Sequence, residues 1–274
     1  MGGAMTAYLG TIGELTPVVQ IRGQQDLTAE REFSEKKLLS GVVRVQVAPR
    51  ANRKWSCSVP YAEIPDYALL KSRVLGELGG PPLFVPVDGP TTNVMSPKRS
   101  LPGRGGGWAG DGVLQPGVQV LGVGAVTGLR SAGGLITLGG FSTPVMPGRP
   151  VTGSVWVGVE GWGTVKFTVS VFTASGAQVA SSTVQRTVGT TLTRVMATVD
   201  VPNGGAYVQL RVTGANSVAC AACTWTPTAR PWAPGVTAPA VFISGWSSGL
   251  KMLHSSDAEP IESVSFDVME VGDA

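Results

Sequence analysis

From residue 106 to residue 231 the sequence is a succession of strand-length apolar runs broken by Gly- and Pro-bearing turns. No stretch of it repeats at helical spacing, and this restricts the segment to stacked sheets. The runs are 119–123, 135–138, 151–159, 165–173, 178–187, 192–199, 206–213 and 219–226, about eight strands. Charge is sparse here: seven Lys/Arg stand against Asp111, Glu160 and Asp200. A double-sheet jelly-roll sandwich is predicted, because such runs bury their apolar faces only against a second sheet.

The flanks read differently. Residues 17–22 form a strand ending at Gly23. Residues 41–47 alternate with period two, as do Lys54-Trp55-Ser56-Cys57-Ser58-Val59, with turn chemistry in Pro49-Arg50-Ala51-Asn52-Arg53 between them. That pattern predicts a hairpin. Ile64-Pro65-Asp66 opens a helix that presents Tyr67, Leu70, Val74 and Leu78 on one face and stops at Gly79-Gly80-Pro81-Pro82. Residues 83–87 are a short apolar strand. The stretch 96–107, with Pro, Gly and three basic residues, reads as a linker.

After residue 231 the runs 241–243 and 263–269 are strands in a segment with one Lys and six acids, whereas residues 1–105 carry 13 Lys/Arg and 9 Asp/Glu. A tail of this length does not fold alone, and its charge directs it to the basic first piece. The expected fold class is mainly β. A discontinuous β-rich N-terminal domain with one helix, residues 1–105 and 232–274, carries an inserted sandwich at 106–231.

Several function classes lose support. Charged residues make up 14% of the chain, with no dense basic run interleaved with aromatics, so no nucleic-acid recognition is expected. No apolar run reaches the ~18 residues of a membrane span, and the first residues lack the regions of a secretion signal. Cys220 and Cys223 form a CxxC, but no second pair exists and the single His is the distant His254. They are read as buried strand residues, with no metal and no cofactor. Gly103–Gly107 and Gly122-Val123-Gly124 lack the Lys-Ser/Thr of a phosphate loop. The three sandwich acids are spread along the chain, so no catalytic residue is assigned and the chain is expected not to be an enzyme. Among the tryptophans, Trp156 and Trp225 fall in strands and read as core. Trp162, in the turn Glu160-Gly161-Trp162-Gly163, is the candidate platform for a sugar ring, with Glu160 beside it.

Two stretches carry resemblances. Arg53-Lys54-Trp55, the helix from Ile64, then Gly79-Gly80-Pro81-Pro82-Leu83-Phe84-Val85-Pro86 and Thr92-Asn93-Val94-Met95-Ser96-Pro97 together resemble the N-terminal domain of siphophage distal tail and tail-tip hub proteins. Pro147–Trp156, Thr193-Arg194-Val195, Val201–Val208 and Trp225-Thr226-Pro227 are similar to carbohydrate-binding-module-like jelly rolls. The first resemblance implies a structural virion subunit of a long-tailed phage tail tip, made in the host bacterial cytoplasm. It also implies a homo-oligomeric ring, hexameric in that family, joining the tail tube to the tip proteins. The second implies a host cell-wall glycan as partner. The alternative class is a carbohydrate-binding or receptor-contact protein, or a non-catalytic module of a secreted hydrolase.

Overall fold

The computed structural model describes residues 5–20, 25–30, 33–37, 40, 43–47, 52–79, 82–103, 107–252 and 261–271. In chain order the first elements are β1 (Met5–Thr11), β2 (Glu14–Gln20), β3 (Gln25–Glu30), β4 (Phe33–Lys37), β5 (Val43–Val47), β6 (Asn52–Glu63), α1 (Ile64–Val74) and β7 (Leu83–Val85). Two single turns, α2 (Gly89–Thr92) and α3 (Pro97–Ser100), precede β8 (Val113–Val120), β9 (Gly124–Arg130), β10 (Ile136–Pro144) and β11 (Pro150–Gly158). Then come β12 (Gly163–Phe172), β13 (Gln178–Val188), β14 (Thr193–Asp200), β15 (Tyr207–Thr213), β16 (Ser217–Thr224), β17 (Val241–Met252) and β18 (Ile261–Glu270). The protein is mainly β, and among the described residues α1 is the one helix longer than a single turn.

The chain divides into two compact units. One holds Met1–Gly10, Thr16–Phe84 and Ala238–Ala274, the other Thr11–Leu15 and Val85–Thr237. The chain leaves the first unit after Phe84 and returns at Ala238. These two residues exchange both backbone hydrogen bonds at 2.9 Å.

In the first unit the sheet order is β17-β18-β6-β3, beside β2-β1-β7 and the pair β4-β5. The acidic tail lies in this unit. Val264, Phe266 and Val268 of β18 stand opposite Val59, Cys57 and Trp55 of β6, and all six are buried. Period-two alternation therefore builds the core from both ends of the sequence. Trp55 also packs on Phe84 with ring centroids 5.2 Å apart. Opposite charges join the same strands. Arg53 grips Glu270 through Nε and Nη2 at 2.8 and 2.9 Å, and Lys54 Nζ lies 2.7 Å from Asp267.

Two local expectations are corrected. The predicted β5–β6 hairpin is absent: β5 pairs with β4, because both edges of β6 are occupied by β18 and β3. The helix ends at Val74 rather than Leu78. Gly76 takes the left-handed conformation at φ 76°, while Gly76 N–H bonds the Arg73 carbonyl and Glu77 N–H that of Ser72. That is the Schellman arrangement, and it stops a helix whatever apolar spacing follows. The strand at 17–22 is β2 over its described part, and Ile21–Gly23 fall outside the described residues.

The second unit is a sandwich. Its sheets are β10-β15-β12-β13 and β14-β11-β16-β9-β8, and the chain crosses between them at β9/β10, β10/β11, β11/β12, β13/β14, β14/β15 and β15/β16. The core lies between. Val165, Phe167, Val169 and Val171 of β12 are fully buried. Across from them, a Cβ added to Gly153 of β11 would come within 2.6 Å of Leu210 and 2.8 Å of Val169. The strand β9 was not read from the sequence, and β8 starts earlier than the run at 119–123. Pro116, Gly117, Gly122, Gly124 and Gly128 break the alternation of this edge hairpin.

The start of the stretch read as a linker is packed, together with the two residues before it. Val94, Met95, Ser96 and Ser100 are buried, and Gly235 N–H bonds Ser100 Oγ at 3.1 Å. A Cβ on Gly235 would meet the Met95 carbonyl oxygen at 2.2 Å, so only glycine permits this approach. Polar composition suggested exposure, but a small hydroxyl that bonds backbone groups, as that of Ser100 does, is buried readily.

Candidate functional site

The candidate platform stands at one end of the sandwich, where the β11–β12 and β13–β14 turns meet. The β11–β12 turn is pinned at two points. Val159 N–H bonds the Gly189 carbonyl at 2.9 Å, and Glu160 N–H bonds Asn216 Oδ1 at 3.0 Å. Gly161 supplies the positive φ of 85° that turns the chain. The Trp162 indole then lies across Gly189, close enough that a Cβ there would touch the ring at 3.7 Å.

Trp162 is 83% exposed, and among the described residues its indole has no hydrogen-bond partner. The other sandwich tryptophans are buried, hydrogen-bonded or both. Trp156 and Trp225 are buried, as their strand positions implied. Trp225, Trp232 and Trp108 donate their indole N–H to the carbonyls of Pro144, Ala221 and Arg99. Trp156 lies under the Arg194 guanidinium at 4.6 Å. Burial holds that guanidinium below its usual pKa, and Arg194 Nη2 donates to Ser154 Oγ at 2.8 Å.

Beside Trp162 is a cleft of about 380 Å³ lined by Arg186, Thr187, Thr190, Thr191 and Thr193. Arg186 is oriented by donating to the Arg194 carbonyl at 3.2 Å. The site offers an exposed aromatic face, hydroxyls and one cation. Glu160 is close in sequence but stands apart: its carboxylate pairs with Arg130 at 2.7 Å and does not line the cleft. The threonines and Arg186 were missed at the sequence level. They lie some 25 positions further on, at the end of β13, the start of β14 and the turn between, and only the crossing between sheets brings that turn to Trp162.

The CxxC does not form a site. Both thiols are free and buried on β16. The register slips between Ser154 and Trp156 of the partner strand β11, and Cys220 takes a φ of +51° in the bulge. Cys220 thereby joins the cluster of Trp156, Val120 and Ala219 on one face, while Cys223 pairs with Gly153 toward the core on the other. Burial pushes the Cys220 thiol up to about 12 and the Cys223 thiol further. Among the described residues no group of three or more His, Cys, Asp and Glu could hold a metal ion, and His254 lies outside them.

The fold and site define a class: a two-unit β protein whose larger unit is a sandwich with one exposed aromatic cleft. No family model matches the sequence, and no curated protein matches it. Solved structures similar to it include the enzymatically active domain of tailspike protein 4 of bacteriophage CBA120. It is 18% identical over 49% of this chain and 22% of its own, with a TM-score of 0.38. This chain thus spans less than a quarter of that domain. The CBM22-1 xylan-binding domain of Paenibacillus barcinonensis Xyn10C is 13% identical over 46% of this chain and 90% of its own, with a TM-score of 0.35. A carbohydrate-binding module of the β-sandwich superfamily is 10% identical over 81% of this chain and 83% of its own, with a TM-score of 0.30.

Proposed function

We propose that this chain is a non-catalytic contact subunit, its sandwich touching a glycan and its first unit serving as the mount. The observation that carries the reading is Trp162. It is a large apolar side chain left 83% exposed over a hydroxyl-lined cleft, while its neighbours of the same type are buried or hydrogen-bonded. Sugar rings stack on such faces, and threonine hydroxyls with Arg186 would meet ring hydroxyls. Chemistry on the glycan is not supported, because glycoside cleavage takes two carboxyls ~5–9.5 Å apart and no carboxylate lines the cleft. Asp200 ends β14 seven residues from Thr193, about 23 Å along the strand.

The mount is read as part of a virion tail tip on the resemblance of residues 53–97. One observation favours a ring of copies. The pair β4-β5 is a sheet of two strands with Val43 and Val45 half exposed, and Leu27 is exposed on the edge strand β3. A two-stranded sheet is marginal alone, and unpaired apolar edges invite strands from another copy. In the ring the copies would add avidity to weak single-site contacts.

The test uses the full chain and its Trp162→Ala variant against host cells and a panel of cell-wall polysaccharides. The wild type should bind without releasing reducing ends, and the variant should melt at the same temperature and bind at least about tenfold more weakly, the loss of roughly 1.4 kcal/mol. Undiminished binding by the variant, or turnover of polysaccharide, would refute the reading.

A further inference from the structure

A second surface of the sandwich is left unused by the Trp162 cleft: the outer face of the sheet β10-β15-β12-β13. Since Val165, Phe167, Val169 and Val171 point inward, Lys166, Thr168 and Ser170 point outward. The register sets Thr213, Arg211 and Gln209 of β15 on one side of them, and Gln185, Thr183 and Ser181 of β13 on the other. One end of this face is closed by the stacked rings of Phe172 and Tyr207, 5.3 Å apart, with Ile12 against them. The remainder is an open depression of about 250 Å³ whose lining includes Lys166, Thr168, Ser181, Thr183 and Arg211.

Its electrostatics are one-sided. Lys166 and Arg211 are diagonal neighbours on adjacent strands, ~7–8 Å apart along the backbone. Among the described residues no carboxylate pairs with either, and none lines the depression. Like charges so placed repel each other, and the fold holds one of them firmly: Arg211 Nε donates to the Oε1 of Gln209 at 2.7 Å, and Gln209 is itself buried. Thr168 and Thr183 join across the strands at 3.0 Å, so hydroxyls run beside the two cations.

We infer that this face binds an anionic glycan, a chain carrying carboxylate or phosphodiester groups. Lys166 and Arg211 take the oxyanions, and Thr168, Ser181 and Thr183 meet the sugar hydroxyls. A nucleic acid presents the same phosphate chemistry, but no aromatic side chain lines the depression to stack a base. The site is distinct from the Trp162 cleft and does not depend on it.

The experiment is affinity electrophoresis of the full chain in gels containing polygalacturonate, poly(glycerol phosphate) or neutral xylan, with a single-stranded oligonucleotide as competitor. Retardation is expected in at least one acidic polymer and should fade as salt rises. Retardation by polygalacturonate alone identifies a uronate ligand, and by poly(glycerol phosphate) alone a phosphodiester ligand. Lys166→Gln with Arg211→Gln should weaken it by at least about tenfold. Thr168→Asp, which sets a carboxylate between the cations, should abolish it while keeping or raising the melting temperature. Trp162→Ala should leave it unchanged, so failure here and failure of the cleft reading are separable. Equal retardation of the Trp162→Ala protein by neutral xylan, displacement of the acidic polymer by the oligonucleotide, wild-type retardation of the Thr168→Asp protein, or no retardation by either acidic polymer would each overturn the inference.

Discussion

The Asn93 side-chain oxygen accepts the Cys223 backbone N–H at 3.0 Å, and Val94 N–H returns a bond of 2.8 Å to the Cys223 carbonyl. The same carboxamide accepts from Met95 N–H and donates to the carbonyls of Ala221 and Ala233. One fully buried side chain therefore ties the segment entering the sandwich to β16 and to the segment leaving it.

Asn93→Ala removes the side-chain acceptor of two buried N–H groups and one donor to each of two carbonyls, of which that of Ala221 keeps the Trp232 indole, so a loss of about 2–4 kcal/mol is expected. Asn93→Asp keeps the shape but aims a carboxylate at two carbonyl oxygens, and it should be destabilising as well. Chemical denaturation of both variants beside the wild type checks this. A change under about 0.5 kcal/mol in Asn93→Ala would show that the carboxamide is dispensable.

Cys220 and Cys223 should be inert in the folded protein. The unfolded thiols titrate near the ordinary value of about 8.5, whereas burial holds the folded Cys220 thiol up to about 12. The protonated form is thus favoured by folding. This contribution is complete below about pH 8.5 and is lost as pH climbs toward the folded value. Iodoacetamide at pH 8 should label neither residue until denaturant is added, and a zinc chelator should not shift the melt. Rapid labelling of the native chain would contradict the burial.

The acid side of the first unit involves Asp267. The Lys54 ammonium, and then the Ser56 hydroxyl at 2.7 Å, hold its carboxyl below the usual carboxylate range. Its stabilisation is therefore present above the unfolded value of about 3.9 and is lost as pH falls through the lower folded value. The pair is partly exposed, so the effect is under about 1 kcal/mol. Asp267→Asn should flatten the low-pH limb of stability against pH below pH 4 and leave the curve parallel to wild type above it. An unchanged limb would mean that other carboxylates set the acid transition.

Much of this fold is legible where burial follows period two. Trp55, Cys57 and Val59 pair with Val268, Phe266 and Val264, and both the alternation and the charge asymmetry direct the tail to the first piece. The sequence is silent where glycine or a bulge breaks the period, as in β9 and at Cys220. It is also silent where a small polar residue is buried as a cap, as at Ser100. For the candidate site, the Trp162 turn is readable because a tryptophan among glycines has no strand to pack in. The cleft around it is not readable, since its threonines arrive through a crossing between sheets.

Phe84 and Ala238 close the gap through which the chain passes into and out of the sandwich. Because they exchange both backbone hydrogen bonds at 2.9 Å, they form a hydrogen-bonded antiparallel pair, with Cα atoms about 5.5 Å apart. A two-residue turn spans that distance, and Asn-Gly has the positive φ values it requires. Replacing residues 85–237 by Asn-Gly should therefore leave the first unit folded, with β18 still between β6 and β17. The Trp55–Phe84 contact and the Arg53–Glu270 fork lie wholly within it. The β1–β2 turn loses its neighbours, since Ile12 packs with Phe172 and Tyr207 and a Cβ on Gly13 would touch Ala174 and Ala206. Ile12→Thr in the shortened chain should offset the new exposure. The expected result is a cooperative thermal transition and a β-type far-ultraviolet spectrum. In that background, Glu270→Gln should lower the transition by removing one side of a fork whose carboxylate is 4% exposed. A shortened chain without a cooperative transition, or one indifferent to Glu270→Gln, would mean that the first unit does not stand without the sandwich.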